Sequence, residues 1–187
     1  HNDPCRDFIH TLERQSGQLA DAGIHDVAPP DLSFAKSDIT RFGLRPPFVL
    51  LVPGGSAHRP EKRWPVENFG ALASRLSGKG FQPVVLGAGA EMELARAIAA
   101  MAPDAVSLVD RTSFIDIASL GRAAHAAIGN DTGPMHVLAA SGCRSIALFS
   151  SASDPALTAP RGRDVVVLQR ARLADLTVDE VMAALAR

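Results

Sequence analysis

Six short apolar runs separated by helix-like segments occupy the chain from Phe48 onward, and this alternation constrains the fold more than any other feature. The first run is apolar at every position, which is typical of a strand buried on both faces of a sheet. The six predicted strands are residues 48–52, 83–86, 106–109, 126–128, 145–149 and 165–168. Because strands that alternate with helices pair in parallel, the pattern predicts an α/β fold with a parallel sheet of about six strands, covered by helices on both faces.

Helix signals lie between the apolar runs. Residues 66–77 and 91–101 have apolar side chains at helical spacing, and residues 113–116 and 177–180 each match a capping box. A further helix is predicted from about residue 133 to Gly142. These helices would cover the two faces of the sheet.

The part of the chain before Phe48 has a different character. The first 24 residues are predicted to form one polar helix, which Asp3 would cap and Gly23 would end in the left-handed conformation. Its apolar stripe is thin, so we expect it to rest against a surface rather than to build a core. The following residues up to 47 contain two Pro-Pro pairs, which are typical of a linker. The predicted domains are therefore a helical segment, 1–47, and an α/β domain, 48–187.

Composition limits the classes of function. The formal net charge of −1 gives no overall basic field, which argues against nucleic acid as a partner. Cys5 and Cys143 are too few for a disulfide framework or a cysteine metal site, so we expect a reducing compartment and no metal. No signal peptide is visible, and no apolar run approaches the ~20 residues needed to cross a bilayer. The chain begins with His1 rather than Met, which leaves a fragment, a processed product or an edited sequence as explanations.

Four unusual loops follow predicted strands, at residues 53–62, 87–91, 129–136 and 150–155. The carboxyl ends of parallel strands share one edge of a sheet, and ligands bind outside that edge. We therefore expect these loops to form one binding site.

The loop at 129–136 joins a strand to a helix, which is the geometry that directs backbone N–H groups at an anion. Pro134 suits the first helical position, Thr132 or Asp131 can cap the helix, and Gly133 allows a ligand close to the backbone. His136 can donate to a phosphate or sugar oxygen. The alternatives are an ordinary capped helix start and a histidine packed against the sheet.

The loop at 53–62 combines glycines, the Ser56 hydroxyl and several cations. Lys62 provides a compact positive charge for a phosphate, and Trp64, the only tryptophan, would fix the far end of the loop. The loop lacks the Gly-Lys-Ser/Thr of a Walker A motif. A flexible, solvated loop is the alternative.

The loop at 87–91 ends in Glu91. A carboxylate at this place commonly accepts hydrogen bonds from the hydroxyls of a ribose. The alternative is a first-turn glutamate that complements the helix dipole, and Glu93 competes for either role.

The sequence Gly-Asn-Asp-Thr-Gly-Pro-Met-His at 129–136, with Lys-Arg-Trp-Pro at 62–65 and Asp154-Pro155, resembles the carboxyl-terminal half of the lipopolysaccharide heptosyltransferases, glycosyltransferase family 9. The resemblance runs from about Phe48 to the end. It extends weakly to residues 10–14 and 22–24, which are similar to the segment that joins the two halves of the family. It implies one half of a GT-B fold, a Rossmann-like three-layer α/β/α domain that binds a nucleotide-sugar donor, typically ADP-heptose.

The resemblance also implies roles for particular residues. Lys62 would bind the donor phosphate with Ser56 in the same loop, and Glu91 would bind the ribose. Asp131 would accept from sugar hydroxyls or cap its own helix, because a carboxylate repels a diphosphate. The implied donor-binding set is Ser56, Lys62, Glu91, Asp131, Thr132, Gly133, Pro134, Met135 and His136. No metal or cofactor is required, since backbone N–H groups and Lys62 would stabilise the leaving nucleoside diphosphate.

Two departures from the family pattern limit what is implied. The family usually has Gly-Pro-Thr-Asp-Pro where this chain has Ser-Ser-Ala-Ser-Asp-Pro at 150–155, which leaves the sugar and base preference open. The family's amino-terminal domain, with the acceptor site and the carboxylate base, is missing, so this chain contains no predicted catalytic residue.

We therefore expect the donor-binding half of an inverting glycosyltransferase that acts in lipopolysaccharide core or related glycan synthesis, and that binds donor without transferring sugar alone. Its partners would be the nucleotide-sugar, the missing amino-terminal domain and a glycan acceptor. The expected location is cytoplasmic, with peripheral contact to the inner membrane following only from the family's acceptor. Two alternatives stay open: a GT-B transferase or epimerase that uses a UDP-sugar, and a non-catalytic nucleotide-binding module.

Overall fold

All six predicted strands form, and they pair in parallel in one sheet. The computed structural model describes residues 6–56 and 58–187. The strands β1 to β6 are Phe48–Val52, Gln82–Val85, Val106–Ser107, Ala126–Asn130, Ser145–Phe149 and Val165–Gln169. The α-helices α1 to α7 are Thr11–Asp21, Val66–Gly78, Met92–Met101, Phe114–Ala123, Gly133–Ala140, Pro155–Thr158 and Val178–Leu185. Short 3-10 turns cover Arg6–Phe8, Thr40–Phe42, Pro60–Lys62, Gly89–Glu91 and Leu173–Asp175.

The order of strands across the sheet is β3-β2-β1-β4-β5-β6. The chain winds outward from β1 to β3, returns to the other side of β1, and there adds β4, β5 and β6. This return makes the gap between the carboxyl ends of β1 and β4 a topological switch point, where ligands of open α/β sheets bind. The predicted Rossmann-like three-layer fold with a parallel sheet of six strands is confirmed.

The sheet separates two apolar clusters, because successive side chains of a strand point to opposite faces. In β1, Val49 and Leu51 join one cluster and Phe48, Leu50 and Val52 join the other. Helices α2, α3 and α7 cover the first face, and α4 and α5 cover the second. The continuous apolar run of β1 is therefore explained by helices on both sides, as predicted.

Strand ends lie within one residue of the prediction except in β3 and β4, where they differ by two. Strand β4 continues through Gly129 to Asn130, both of which were predicted to lie in a turn. The register of β4 against β5 explains the difference, because Asn130 still pairs opposite Leu148. Strand β3 is shorter than predicted and ends at Ser107.

The prediction of one helix over the first 24 residues was wrong where the structure describes it. Helix α1 starts only at Thr11, and His10 caps it by accepting a hydrogen bond from the Leu12 N–H through Nδ1. The expected cap, Asp3, lies outside the described residues. Gly23 ends the helical segment with a φ of 81°, as predicted. Every residue of α1 is at least partly exposed, which agrees with the thin apolar stripe.

Residues 32–42 of the predicted linker are docked on α4 rather than extended freely. The Ser119 hydroxyl donates to the carbonyl of Ala35 at 3.0 Å and accepts from the N–H of Ser37 at 3.0 Å. Arg41 forms an ion pair with the buried Asp116 carboxylate at 2.6 Å, and Phe42 enters the second apolar cluster. Proline pairs indicate an irregular backbone but do not reveal such contacts, and the division of the chain at residue 47 stays a prediction.

Replacing Ser119 by Ala tests this docking. Loss of the two hydrogen bonds that Ser119 forms with this segment should raise amide hydrogen exchange about fivefold or more in residues 32–44, while exchange in the six strands stays unchanged. Ser77→Ala is the control, because the Ser77 hydroxyl is buried without a hydrogen-bond partner among the described residues. Equal exchange in the two variants would contradict the docking role.

Candidate functional site

A cavity of about 670 Å³ opens at the switch point. Its walls come from four segments that follow β1, β2, β3 and β4 or form the last residues of those strands. The lining residues are Val52, Gly54, Gly55, Ser56, Leu86, Gly87, Ala88, Glu91, Thr112, Ser113, Phe114, Ile117, Asp131, Thr132, Gly133 and Pro134. Three of the four predicted loops therefore meet at one cavity, and the fourth, at 150–155, lies next to it beyond β4.

The structure divides the predicted site residues into three groups. Those in the cavity wall are Ser56, Glu91, Asp131, Thr132, Gly133 and Pro134. Lys62 and His136 lie outside the wall but contact the Asp131 carboxylate. Met135 is fully buried in the second apolar cluster, and its N–H bonds to the carbonyl of Thr132. It belongs to the core rather than to a ligand-contacting surface.

Helix α5 presents its amino terminus to the cavity. Thr132 occupies the N-cap position and Gly133 the first helical position, so Pro134 stands second rather than first. The side chain of Thr132 does not cap the helix, and its Oγ1 is buried without a hydrogen-bond partner among the described residues. The first N–H groups of a helix have no intrahelical acceptor, so this end offers donors and a positive dipole to an anion.

Asp131 is the electrostatic centre of the site. Its carboxylate is nearly buried, with 8% of the side chain exposed, and its Oδ2 accepts a hydrogen bond from Lys62 Nζ at 2.8 Å. His136 Nε2 lies 3.9 Å from Oδ1. Burial raises the pKa of Asp131, but His136, Lys62 and Ser153 together more than offset this and hold the pKa below its usual value. The carboxylate is therefore ionised and paired with Lys62 when no ligand is bound.

The loop that carries Lys62 is fixed at both ends. Lys62 closes the 3-10 turn Pro60–Lys62, and the guanidinium of the next residue, Arg63, donates to the carbonyl of Gly55 at 2.5 Å. Trp64 is buried, donates through Nε1 to the carbonyl of Leu176 at 2.9 Å, and packs edge-on against Phe69. The prediction that Trp64 fixes the far end of the loop is confirmed.

Asn130 is the residue that sequence reasoning missed. Its fully buried side chain donates to the carbonyls of Pro53 at 2.8 Å and Gly54 at 3.1 Å, and accepts from the N–H of Trp64 at 2.9 Å. One amide group thus joins the end of β4 to both ends of the loop after β1. The only available signal was an amide directly before Asp131.

Glu91 lies in the cavity wall, in the loop after β2 where it was predicted, and one of its carboxylate oxygens already accepts a hydrogen bond. Its Oε2 accepts from the N–H of Ala88 at 2.9 Å, and a Cβ on Gly54 would approach its Oε1 to 2.9 Å. A side chain at position 54 would therefore displace the Glu91 carboxylate from its present place. Both roles considered for Glu91, ribose binding and helix-end stabilisation, stay predictions.

The wall formed by Thr112, Ser113, Phe114 and Ile117 was also missed. Phe114 is 67% exposed, an unusual state for an aromatic side chain at the mouth of a cavity. The capping box that begins at Ser113 identified a helix start but not a cavity wall. Its position between β3 and α4, on the same side of the sheet as the other loops, was the signal.

No group of three or more His, Cys, Asp or Glu side chains suited to a metal ion occurs in the described part of the chain. Within the same residues, no helix is both long and apolar enough to cross a membrane. The expectation that no metal or cofactor is required stays a prediction.

A cavity at the switch point of a parallel sheet, beside a free helix terminus, defines a Rossmann-like ligand-binding domain. The family model for glycosyltransferase family 9 (heptosyltransferase) matches residues 9–182. The chain therefore belongs to glycosyltransferase family 9, as the sequence motifs predicted.

Individual relatives agree with this assignment. Lipopolysaccharide heptosyltransferase 2 of Salmonella typhimurium is 30% identical over 148 residues, which are 76% of this chain and 42% of that protein. The structure of E. coli ADP-heptose lps heptosyltransferase II superposes with a TM-score of 0.72 at 27% identity, over 87% of this chain and 52% of that one. This chain thus spans about half the length of the relatives it matches.

More distant structures share the fold. The glycosyl transferase family 9 protein of Veillonella parvula has a TM-score of 0.80 at 20% identity, over 98% of this chain and 60% of its own. E. coli heptosyltransferase WaaC with ADP has a TM-score of 0.75 at 23% identity, over 93% of this chain and 55% of its own.

Replacing Asn130 by Ala should cost about 2–4 kcal/mol of unfolding free energy, because three hydrogen bonds are lost and their partners stay buried. Urea denaturation followed by Trp64 fluorescence measures this loss. Asn68→Ala on α2 serves as the matched control and should cost less than about 1 kcal/mol. Similar losses in both variants would contradict the central role of Asn130.

Proposed function

We propose that this chain is the donor-binding half of an inverting glycosyltransferase, and that its ligand is a nucleoside diphosphate-sugar, with ADP-heptose as the expected donor. The observation that carries the proposal is the arrangement around the cavity. An apolar wall, a carboxylate and a helix amino terminus line one space, and a lysine lies directly beside it. These are the groups that a base, a ribose and a diphosphate require.

The cavity suggests one orientation for the donor. The base would lie on the apolar wall made by Val52, Leu86, Phe114, Ile117 and Pro134. The ribose hydroxyls would reach the free oxygen of Glu91. The diphosphate would lie at the amino terminus of α5, within reach of the Lys62 ammonium, and the sugar would continue past Asp131 and His136.

This orientation gives Lys62 and α5 a chemical role. Transfer of the sugar leaves negative charge on the departing nucleoside diphosphate, and donors that are already positioned stabilise that charge. The N–H groups of Thr132 and Gly133, with Lys62, would supply this stabilisation without a metal. The carboxylate that deprotonates the acceptor hydroxyl is expected in the other half of the enzyme. Transfer to lipopolysaccharide core or a related glycan is part of the same proposal.

The preference of the cavity for adenine or uracil nucleotides tests whether the donor is ADP-heptose. Calorimetric titration of the chain with ADP, ADP-heptose, UDP and UDP-glucose should show binding of the two adenine nucleotides and much weaker binding of the two uridine nucleotides. Preference for the uridine ligands would instead favour a UDP-sugar transferase or epimerase. Absence of binding to all four would reject the donor-binding role.

Replacing Lys62 by Ala should weaken ADP binding at least about tenfold, since a charge-assisted contact to the diphosphate is lost. AMP binding should change by less than about twofold, because AMP lacks the second phosphate. Calorimetry on both nucleotides measures the difference. Lys79→Ala, at the far end of α2, is the control and should change neither. Equal losses for ADP and AMP in Lys62→Ala would contradict the role of Lys62.

Replacing Asp131 by Asn should raise ADP affinity about two- to fivefold, because the like charge beside the diphosphate is removed and Lys62 is released. The same change should reduce the ratio of ADP-heptose affinity to ADP affinity, because the charged acceptor for sugar hydroxyls is lost. Asp104→Asn, at an exposed position before β3, should leave both affinities unchanged. Weaker ADP binding in Asp131→Asn would show that Asp131 supports the diphosphate rather than opposing it.

A further inference from the structure

The loop after β5 contains one hydroxyl without a partner. Ser150 Oγ accepts from a backbone N–H of the same loop, Ser151 Oγ donates to a backbone carbonyl after β6, and Asp154 caps α6. Ser153 Oγ is buried and has no hydrogen-bond partner among the described residues. Burying a hydroxyl in this way costs about 1–3 kcal/mol, so a native structure that keeps one calls for an explanation.

Ser153 lies beside Asp131. Strand β4 pairs with β5 up to Asn130 opposite Leu148, which brings the residues that follow the two strands together. The Ser153 hydroxyl helps to lower the pKa of the Asp131 carboxyl, which places the two groups near each other, although Ser153 Oγ has no partner of full hydrogen-bond geometry among the described residues. The carboxylate is held by Lys62 instead, at 2.8 Å.

A bound diphosphate changes this balance. The Lys62 ammonium has three donors but one charge, so a phosphate bound beside it would compete with Asp131 and leave the nearly buried carboxylate less well neutralised. His136 does not replace Lys62, because 3.9 Å is too long for a hydrogen bond. An unpaired buried carboxylate is costly, and this one would also face the negative charge of the ligand.

We propose that Ser153 is a positioning residue for Asp131, whose hydroxyl donates to the carboxylate when Lys62 transfers to the diphosphate of a bound nucleotide. The inference rests on the proposed nucleotide-sugar site. A serine hydroxyl can turn about its side-chain torsions to direct its O–H at a nearby acceptor. Ser153 thereby keeps Asp131 ionised and oriented toward the sugar.

Calorimetry with AMP and ADP tests the proposal in Ser153→Ala. ADP affinity should fall about five- to tenfold, the expected effect of losing a hydrogen bond to a charged group. AMP affinity should stay within about twofold, because AMP leaves Lys62 on Asp131. Ser153→Thr keeps the hydroxyl and should restore ADP binding. Ser151→Ala removes a neighbouring hydroxyl that already has its own partner, and should change neither affinity.

A double-mutant cycle separates positioning from a merely structural role. If Ser153 acts through Asp131, Ser153→Ala should have no further effect on ADP binding in the Asp131→Asn background. Persistence of the full loss in that background would overturn the inference, as would equal losses for AMP and ADP in the single variant. Suppose that Ser153→Ala leaves ADP binding unchanged while Lys62→Ala still weakens ADP binding more than AMP binding. This result would overturn the inference about Ser153 but leave the proposed function standing. Failure of the unaltered chain to bind either nucleotide would overturn the proposed function together with it.

Discussion

The buried amide of Asn130 is the interaction on which the arrangement of the site depends. It holds two carbonyls at the start of the loop after β1 and one N–H at its end, and it does so from the last residue of β4. The two strands that flank the switch point are thus joined where the ligand would bind. Trp64 extends the connection through Leu176 toward α7, so the loop with Lys62 is tied to the core at more than one place.

The charges of Lys62 and Asp131 neutralise each other in the ligand-free site. Lys62 and Asp131 satisfy each other, although only Lys62 suits a diphosphate. Because the folded-state pKa of Asp131 is lowered, the ionised carboxylate contributes stability above its usual pKa, and this contribution is lost as the pH falls through the lowered value. In the proposed nucleotide site, a bound diphosphate would therefore compete with Asp131 for Lys62. The proposed role of Ser153 follows from this competition.

Much of the fold was predictable because strands buried on both faces leave continuous apolar runs, and parallel strands bring their carboxyl ends together. Placement of Ser56, Glu91 and Asp131 on one cavity followed from that topology. The amide of Asn130 was not predictable, since Gly-Asn-Asp-Thr reads as a turn and only pairing with β5 shows that β4 continues. The burial of Met135 and the docking of residues 32–42 also depend on packing partners that are distant in sequence.

The most direct test of the account is a map of amide chemical-shift changes when isotopically labelled protein is titrated with ADP. We expect the largest changes to cluster in four segments: 52–56, 86–91, 112–117 and 131–136. Residues 139–142 and 161–163, at the opposite edge of the sheet, should stay unchanged. Changes centred on that opposite edge, or absent from the amino terminus of α5, would contradict the claim that the switch-point cavity is the nucleotide site.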